Sequence, residues 1–339
     1  MEQPVALSPA CPQGLIVGQI VPRSSTTAAL GYSDRRTSTG RKLYRLEWRM
    51  QRDRQLTVTA NTWVTATFVE LNTARIGIFR PGTGEWYLDV NGNGTWDGCN
   101  VDRCAQSFGR DGDRPVVARG IATSLDTAGI FRPIDTTTSG KRVKTINGHW
   151  QLDSNNNGNL ESCDMDQCLG PFGDQGDLPV IGDWTGTGNP GIGVFRRADT
   201  KWYLDLNGNG KLDNCNRDRC LGPFGQPDDL PVTGDWTGTG KARIGVFDPN
   251  TAGWQLDLNG NGVFDGCTVD ACFTFGQPGD LPIIGDWSGT GKAQIGIFDA
   301  STGTWELDRN GNGVFEGCSV DLCLGPFGQP GDLPVSGKW

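Results

Sequence analysis

The feature that most constrains this chain is a repeat. The stretch LDLNGNGKLDNCNRDRC, Leu204 to Cys220, has four counterparts, and equivalent aspartates at Asp89, Asp153, Asp205, Asp257 and Asp308 are spaced by 64, 52, 52 and 51 residues. A period near 50 residues fits a small β-sheet written out repeatedly. Each unit, for example PVTGDWTGTGKARIGVFDPNTAGWQLDLNGNGVFDGCTVDACFTFGQPGD from Pro231, alternates short β-prone runs with Gly, Pro, Asn and Asp. Four strands per unit are predicted, near PVTGDW, ARIGVFD, GWQLDL and ACFTFG. The chain holds 51 glycines and 19 prolines against three methionines, which also speaks for turns and strands rather than long helices. The class is therefore all-β, and repeated four-stranded units bury their faces best when arranged radially as a β-propeller, with a linear β array as the alternative.

Five units are clear and span residues 64–339. The longer first step is absorbed by IDTTTSGKRVKTINGH, residues 134–149, read as a polar loop insertion. In the first two units the Gly-Asp-Trp is lost while the strand remains, as in VTATFVELNTARIGIF from Val64 to Phe79. Residues 1–63 are either a degenerate sixth unit, with LYRLEW as one of its strands, or a separate β segment or arm. At the other end LPVSGKW is the first strand of a unit that does not follow. A leftover strand needs a partner, so it either closes a ring within the molecule or adds to a neighbouring subunit.

The repeated loop carries the chemistry. Numbered from its first aspartate, oxygen-bearing side chains stand at 1, 3, 5 and 9, glycine at 6 and an apolar residue at 8. That is the first three quarters of an EF-hand-type calcium loop, in which alternate side chains point inward, glycine permits the sharp turn and position 7 offers its carbonyl. The candidate ligands are Asp89, Asn91, Asn93, Thr95 and Asp97; Asp153, Asn155, Asn157, Asn159 and Glu161; Asp205, Asn207, Asn209, Lys211 and Asp213; Asp257, Asn259, Asn261, Val263 and Asp265; Asp308, Asn310, Asn312, Val314 and Glu316. Position 8 is Trp96, Leu160, Leu212, Phe264 or Phe315, an anchor into the fold. The glutamate that such loops carry at position 12 is absent. Two residues later each copy has an aspartate, Asp102, Asp166, Asp218, Asp270 or Asp321, and a Cys-x4-Cys disulfide is expected to fold it back as the missing carboxylate.

An Asn-Gly turn needs no metal. Here positions 1, 9 and 14 are acidic in all five copies, and three carboxylates brought together without a cation would repel. Calcium, one ion per loop, is therefore the expected cofactor. Five such ions would move the formal charge from -9 to +1. Amide ligands at 3 and 5 keep the ligand charge low, so affinities on the order of 10⁻⁴ to 10⁻³ M are expected, as in extracellular modules.

Ten of the 11 cysteines fall into the pairs Cys99/Cys104, Cys163/Cys168, Cys215/Cys220, Cys267/Cys272 and Cys318/Cys323. No second pair or histidine accompanies each one to complete a zinc site, and no Cys-x-x-Cys redox motif is present. Disulfides and an oxidising, extracellular or cell-surface location follow. Cys11 is left as a free or buried thiol or an intermolecular bridge. The amino terminus, MEQPVALSPACPQG, shows no basic region followed by an apolar stretch, and reads as a mature form from which any secretion signal has been removed.

GDWTGTGKARIGVF, Gly234 to Phe247, resembles the FG-GAP and VCBS repeats of integrin-α-like β-propellers, over roughly residues 64–339. The resemblance implies a propeller in an extracellular, often adhesive, protein. That family carries further acids after Gly-Asp and binds calcium there. Here Thr237 and Thr239, Thr185 and Thr187, and Ser288 and Thr290 stand in those places, which argues against calcium at that position. The acidic loops are similar instead to thrombospondin type 3 and dockerin calcium loops.

Net charge excludes a nucleic-acid partner, and no apolar run is long enough to span a membrane. His149 is the only histidine and does not recur, so no general base accompanies the repeat and no enzyme is expected. Tryptophans recur before the loop (Trp86, Trp150, Trp202, Trp254, Trp305) and after Gly-Asp or Gly-Lys (Trp184, Trp236, Trp287, Trp339). They either pack blade on blade or stack on sugar rings, and exposure separates the two. A structural or adhesive protein is expected, self-assembling into a filament or oligomer through terminal strands or meeting cell-surface glycan or protein. A lectin-like propeller is the alternative, and a carbohydrate-active enzyme the weaker one.

Overall fold

The computed structural model describes residues 28–36, 42–50, 64–68, 73–105, 108–119, 125–139 and 142–339, with side chains given outside 28–68, 134–139 and 142–147. The chain divides into two compact units, Met1–Leu71 and Asn72–Trp339. In the first, β1 (Ala28–Arg36) and β2 (Lys42–Met50) pair antiparallel, and β3 (Val64–Phe68) lies parallel to β2. Cys11 lies outside the described residues.

The second unit is a five-bladed β-propeller of four-stranded antiparallel sheets. The first blade contains β4 (Arg75–Arg80), β5 (Glu85–Leu88) and β6 (Arg103–Ala105). The second contains β7 (Arg114–Arg119), β8 (Asp126–Ser139), β9 (Arg142–Leu152) and β10 (Gln167–Leu169). The third has β11 (Leu178–Gly182), β12 (Gly191–Arg196), β13 (Lys201–Leu204) and β14 (Arg219–Leu221). The fourth has β15 (Leu230–Gly234), β16 (Arg243–Asp248), β17 (Gly253–Leu256) and β18 (Ala271–Thr274). The fifth has β19 (Leu281–Gly285), β20 (Gln294–Asp299), β21 (Thr304–Leu307) and β22 (Leu322–Leu324).

The leftover strand LPVSGKW, β23 (Leu333–Gly337), closes the ring. It pairs antiparallel with β4 as the innermost strand of the first blade, Leu333 opposite Phe79 and Gly337 opposite Arg75. Val64–Phe68, which the repeat frame places at the head of that blade, pairs with β2 instead. Inner strands touch in the cycle β7, β11, β15, β19, β23 and back to β7. Of the two fates left open for the terminal strand, the described structure takes the intramolecular one.

The second strand of each blade is sandwiched between neighbours. In β4, β12 and β16 all four central residues are buried, so they read as unbroken apolar runs rather than as an alternation. Each core cluster joins one blade to the second strand of the next, as Phe79 and Trp86 pack with Ile130, and Phe298 and Trp305 with Ile76 and Ile78. The glycine in the middle of these strands is required by packing. A Cβ on Gly77 would lie 2.8 Å from Leu88 and 3.1 Å from Val335.

One element departs from the sequence reading. The polar insertion is not a loop: β8 and β9 run on past the blade as a hairpin, with Ser139 opposite Arg142. Thr136, Thr137, Thr138, Val143, Thr145 and Ile146 are β-branched, which outweighs the polarity that pointed to a loop.

Candidate metal centres

Every predicted loop joins the third and fourth strands of its blade. In each, the position-1 aspartate turns inward and caps the turn. Asp205 accepts hydrogen bonds from Gly208 N (2.7 Å) and Gly210 N (2.7 Å), and Asp308 from Gly311 N (2.7 Å) and Gly313 N (2.7 Å). The asparagines at 3 and 5 each accept at Oδ1 from the backbone two residues on and donate Nδ2 to the position-9 carboxylate. In the third blade these are Asn207 to Asp213 at 3.0 Å and Asn209 to Asp213 at 2.8 Å. Those two donors hold the Asp213 carboxyl below the usual aspartate range.

The position-14 aspartate is folded back as expected. Disulfides Cys99–Cys104, Cys163–Cys168, Cys215–Cys220, Cys267–Cys272 and Cys318–Cys323 bracket it with Cα separations of 5.2–5.3 Å. Within the bracket the chain turns tightly, Asp218 N donating to Asn214 O at 2.9 Å. The carboxylate then accepts from the backbone N–H of position 9: Asp97 to Asp102 (2.8 Å), Glu161 to Asp166 (2.7 Å), Asp213 to Asp218 (2.7 Å), Asp265 to Asp270 (2.8 Å) and Glu316 to Asp321 (2.8 Å).

Each loop thereby buries two like charges. Asp89 and Asp102 are 1% and 4% exposed, Asp257 and Asp270 1% and 3%, Asp308 and Asp321 1% and 2%. Burial pushes the Asp89, Asp257 and Asp308 carboxyls above the usual aspartate range against the pull of their backbone donors, and the charge of the paired aspartate adds to the rise. Asp153 and Asp218 are raised by burial in the same way. In three loops the second oxygen of the folded-back carboxylate, Oδ1 of Asp102, Asp166 and Asp218, is buried with no hydrogen-bond partner. An orphaned carboxylate oxygen in a loop rich in carboxylate, amide and carbonyl groups suits a hard divalent cation such as calcium. No three Asp, Glu, His or Cys side chains among the described residues meet closely enough to hold a metal by themselves. A cation here would draw on carboxylates together with the asparagine amides and the position-7 carbonyl.

The loops also sit on the preceding blade, a role that local sequence does not reveal. Gly94, Gly210 and Gly262, at position 6, have φ of +70 to +79° and press against Leu324, Leu169 and Leu221, where a Cβ would lie within 2.9 Å. The position-8 ring completes the seat: Trp96 meets Phe327 edge-on at 5.9 Å, Phe264 meets Phe224 at 6.2 Å and Phe315 meets Phe275 at 6.1 Å. From the other side Arg219 donates to Gly260 O (2.5 Å) and Arg103 to Asn156 O (2.8 Å), each reaching the next blade's loop from the last strand of its own. Arg103 also approaches Asp153 Oδ2 at 3.9 Å, a guanidinium beside the position-1 carboxylate of the second loop.

The recurrent tryptophans are core. Trp86, Trp150, Trp202, Trp254 and Trp305 are 0–1% exposed, and Trp184, Trp236, Trp287 and Trp339 at most 8%. Their indole N–H groups donate to backbone carbonyls, Trp86 to Phe108 O at 2.7 Å and Trp236 to Ile244 O at 3.1 Å. They present no stacking surface for a sugar. The Gly-Asp-Trp loops are satisfied without further acids: Asp183 accepts backbone hydrogen bonds from Gly186 (2.7 Å) and Gly188 (2.5 Å).

No family model matches the chain, and no curated protein matches it. Among solved structures it is similar to a lectin of Agrocybe aegerita, described for its specific recognition of non-reducing terminal N-acetylglucosamine. The two are 16% identical, with 72% of this chain and 75% of that chain covered and a TM-score of 0.36. No helix among the described residues is long and apolar enough to cross a membrane.

Proposed function

We propose that this chain is an extracellular, calcium- and disulfide-stabilised propeller of the FG-GAP/VCBS kind with a structural or adhesive role, in which each calcium loop fastens its blade to the one before. The observation that carries this reading is the buried carboxylate pair repeated in all five loops, with its orphaned Oδ1 in three, set in a loop that rests on the preceding blade. Leaving such a pair buried with neutral donors alone is costly, and a divalent cation removes the repulsion. The five disulfides support an oxidising milieu, where calcium is also abundant enough to fill weak sites. No catalytic step is assigned to it.

Calcium bound only by the folded ring stabilises it by mass action, about 2.7 kcal/mol for a site at 100 times its Kd. Native mass spectrometry is expected to find calcium in proportion to the loops, and the melting temperature to rise in millimolar calcium and fall with chelator. Unchanged melting, together with metal-free protein after dialysis against calcium, would sink the reading.

A further inference from the structure

At the end of its second strand, each blade sets one residue beside a buried aspartate that precedes its first strand. In three blades that residue is an arginine. Arg80 grips Asp332 with Nε to Oδ1 at 2.9 Å and Nη2 to Oδ2 at 3.0 Å, its guanidinium lying 4.7 Å from the Tyr87 ring. Arg196 repeats this on Asp177 over Tyr203 at 4.6 Å, and Arg132 grips Asp113 through Nε and Nη2, both at 2.7 Å. The fifth blade keeps the buried acid, Asp280, but has Asp299 where the arginine stands and Glu306 where the tyrosine stands.

Asp280 is 7% exposed. Its Oδ2 accepts from Gln277 N at 2.7 Å, while its Oδ1, the atom that binds Nε in the other blades, accepts no hydrogen bond among the described residues. Burial, reinforced by the charge of Asp299, pushes the Asp280 carboxyl up. The three acids line an open cavity of about 740 Å³ whose apolar wall includes Ile297, Phe315 and Pro330. A buried, half-satisfied carboxylate thus faces a cavity at the place where this fold, in three other blades, seats a guanidinium.

We propose that the fifth-blade cavity binds an alkylguanidinium, the arginine side chain of a partner protein. The planar fork meets both oxygens of one carboxylate, which a compact ammonium cannot do, and Asp299 and Glu306 add negative charge that favours a cation there. Ile297 and Pro330 suit the methylene stem, and Phe315, which also packs edge-on with Phe275, adds aromatic wall. The fourth blade carries only part of this set, with Asp229 and Asp248 but Gln255 in the third place.

The test is calorimetric titration of the full chain, at fixed millimolar calcium, with N-acetyl-arginine methylamide, its neutral citrulline counterpart and its lysine counterpart. Saturable binding of the arginine compound alone is expected, weakened about ten-fold in Glu306→Gln. Asp299→Arg rebuilds the arginine–aspartate pair of three other blades within the chain, and is expected to abolish binding and raise the melting temperature. Should Asp299→Arg fail to fold, the Glu306→Gln titration decides alone. Absence of saturable binding, equal binding of the citrulline or lysine compound, or displacement of the arginine compound by added calcium would each overturn the assignment. Because calcium is held constant and neither variant replaces a candidate loop ligand, failure of the wild-type titration leaves the reading of the loops standing.

Discussion

The same buried aspartate has opposite energetic meaning in different blades. Asp113 is fully buried against Arg132, whose side chain is 8% exposed, so Asp113→Asn removes the carboxylate from a buried two-point charge pair. A loss of about 3 kcal/mol is expected, read by chemical denaturation at neutral pH. Asp229, 6% exposed, meets Asp248 instead of an arginine. Burial first, then the charges of Asp248 and Asp228, lift its carboxyl above the usual 3.8 against the pull of Gln226 N. A raised acid binds its proton more tightly folded than unfolded, so its contribution to stability falls as pH climbs through the raised value. Asp229→Asn removes that loss. It should match or exceed the wild type at neutral pH, and the advantage should vanish as pH falls below the ordinary aspartate value of 3.8. An advantage that persists in acid would refute the charge argument. Nothing in the sequence announced these pairs: Asp113 and Arg132 are 19 residues apart, Arg80 and Asp332 are 252 apart, and each residue alone reads as a solvated charge. By contrast, the shape of the loops was legible, since the residues that form each turn lie within one short segment and repeat.

At the scale of the element, loop and strand differ in how much they disclosed. Strand positions followed from β-prone runs between turn residues, and within the Cys-x4-Cys bracket Asp218 turns back to accept from Asp213 N, a contact the spacing did not specify. The insertion after Pro133 reads as a loop by its polarity, yet it is rich in β-branched residues, and pairing between β8 and β9 satisfies its backbone. The seat of each loop on the preceding blade was hidden for a different reason: a glycine at position 6 is explained by its positive φ alone, and local sequence cannot show a second cause. Two glycines of one loop separate these causes. Gly313 (φ +77°) would place a Cβ 1.8 Å from the Phe273 ring, whereas Gly317 (φ +89°) has nothing within 4 Å. Gly317→Ala should cost only the left-handed backbone, about 1 kcal/mol. Gly313→Ala should cost distinctly more and also weaken calcium binding, because the loop must lift off β18 to admit the methyl. Equal destabilisation of the two variants, with equal calcium titrations, would mean that the loop does not depend on its neighbour.

For the whole molecule, the decisive contact is the one between chain end and first blade. A repeat with one strand too many is compatible with a ring, a rod or a fibre, and only the pairing partner of β23 distinguishes them. That partner is β4, and the contact adds Val335 and Trp339 to the first core cluster while Ser336 Oγ donates to Ile284 O of the fifth blade at 2.5 Å. Opening the ring there would expose the edge of β4 and the inner faces of two blades at once. Core clusters that each span two blades couple every blade to its neighbours, so the loss should propagate rather than stay local. A chain ending at Asp332 is therefore expected to lose the cooperative thermal transition of the full chain even in saturating calcium. A synthetic peptide covering Leu333 to Trp339 should restore part of it by adding back the strand in trans, since main-chain pairing with an exposed edge needs no covalent link. Peptides with Val335 replaced by Asp, which would bury a charge beside Gly77 and Leu88, should fail to rescue. A truncated chain that melts like the full-length protein would show that the blades stand without closure, and that the ring is held by its interfaces alone.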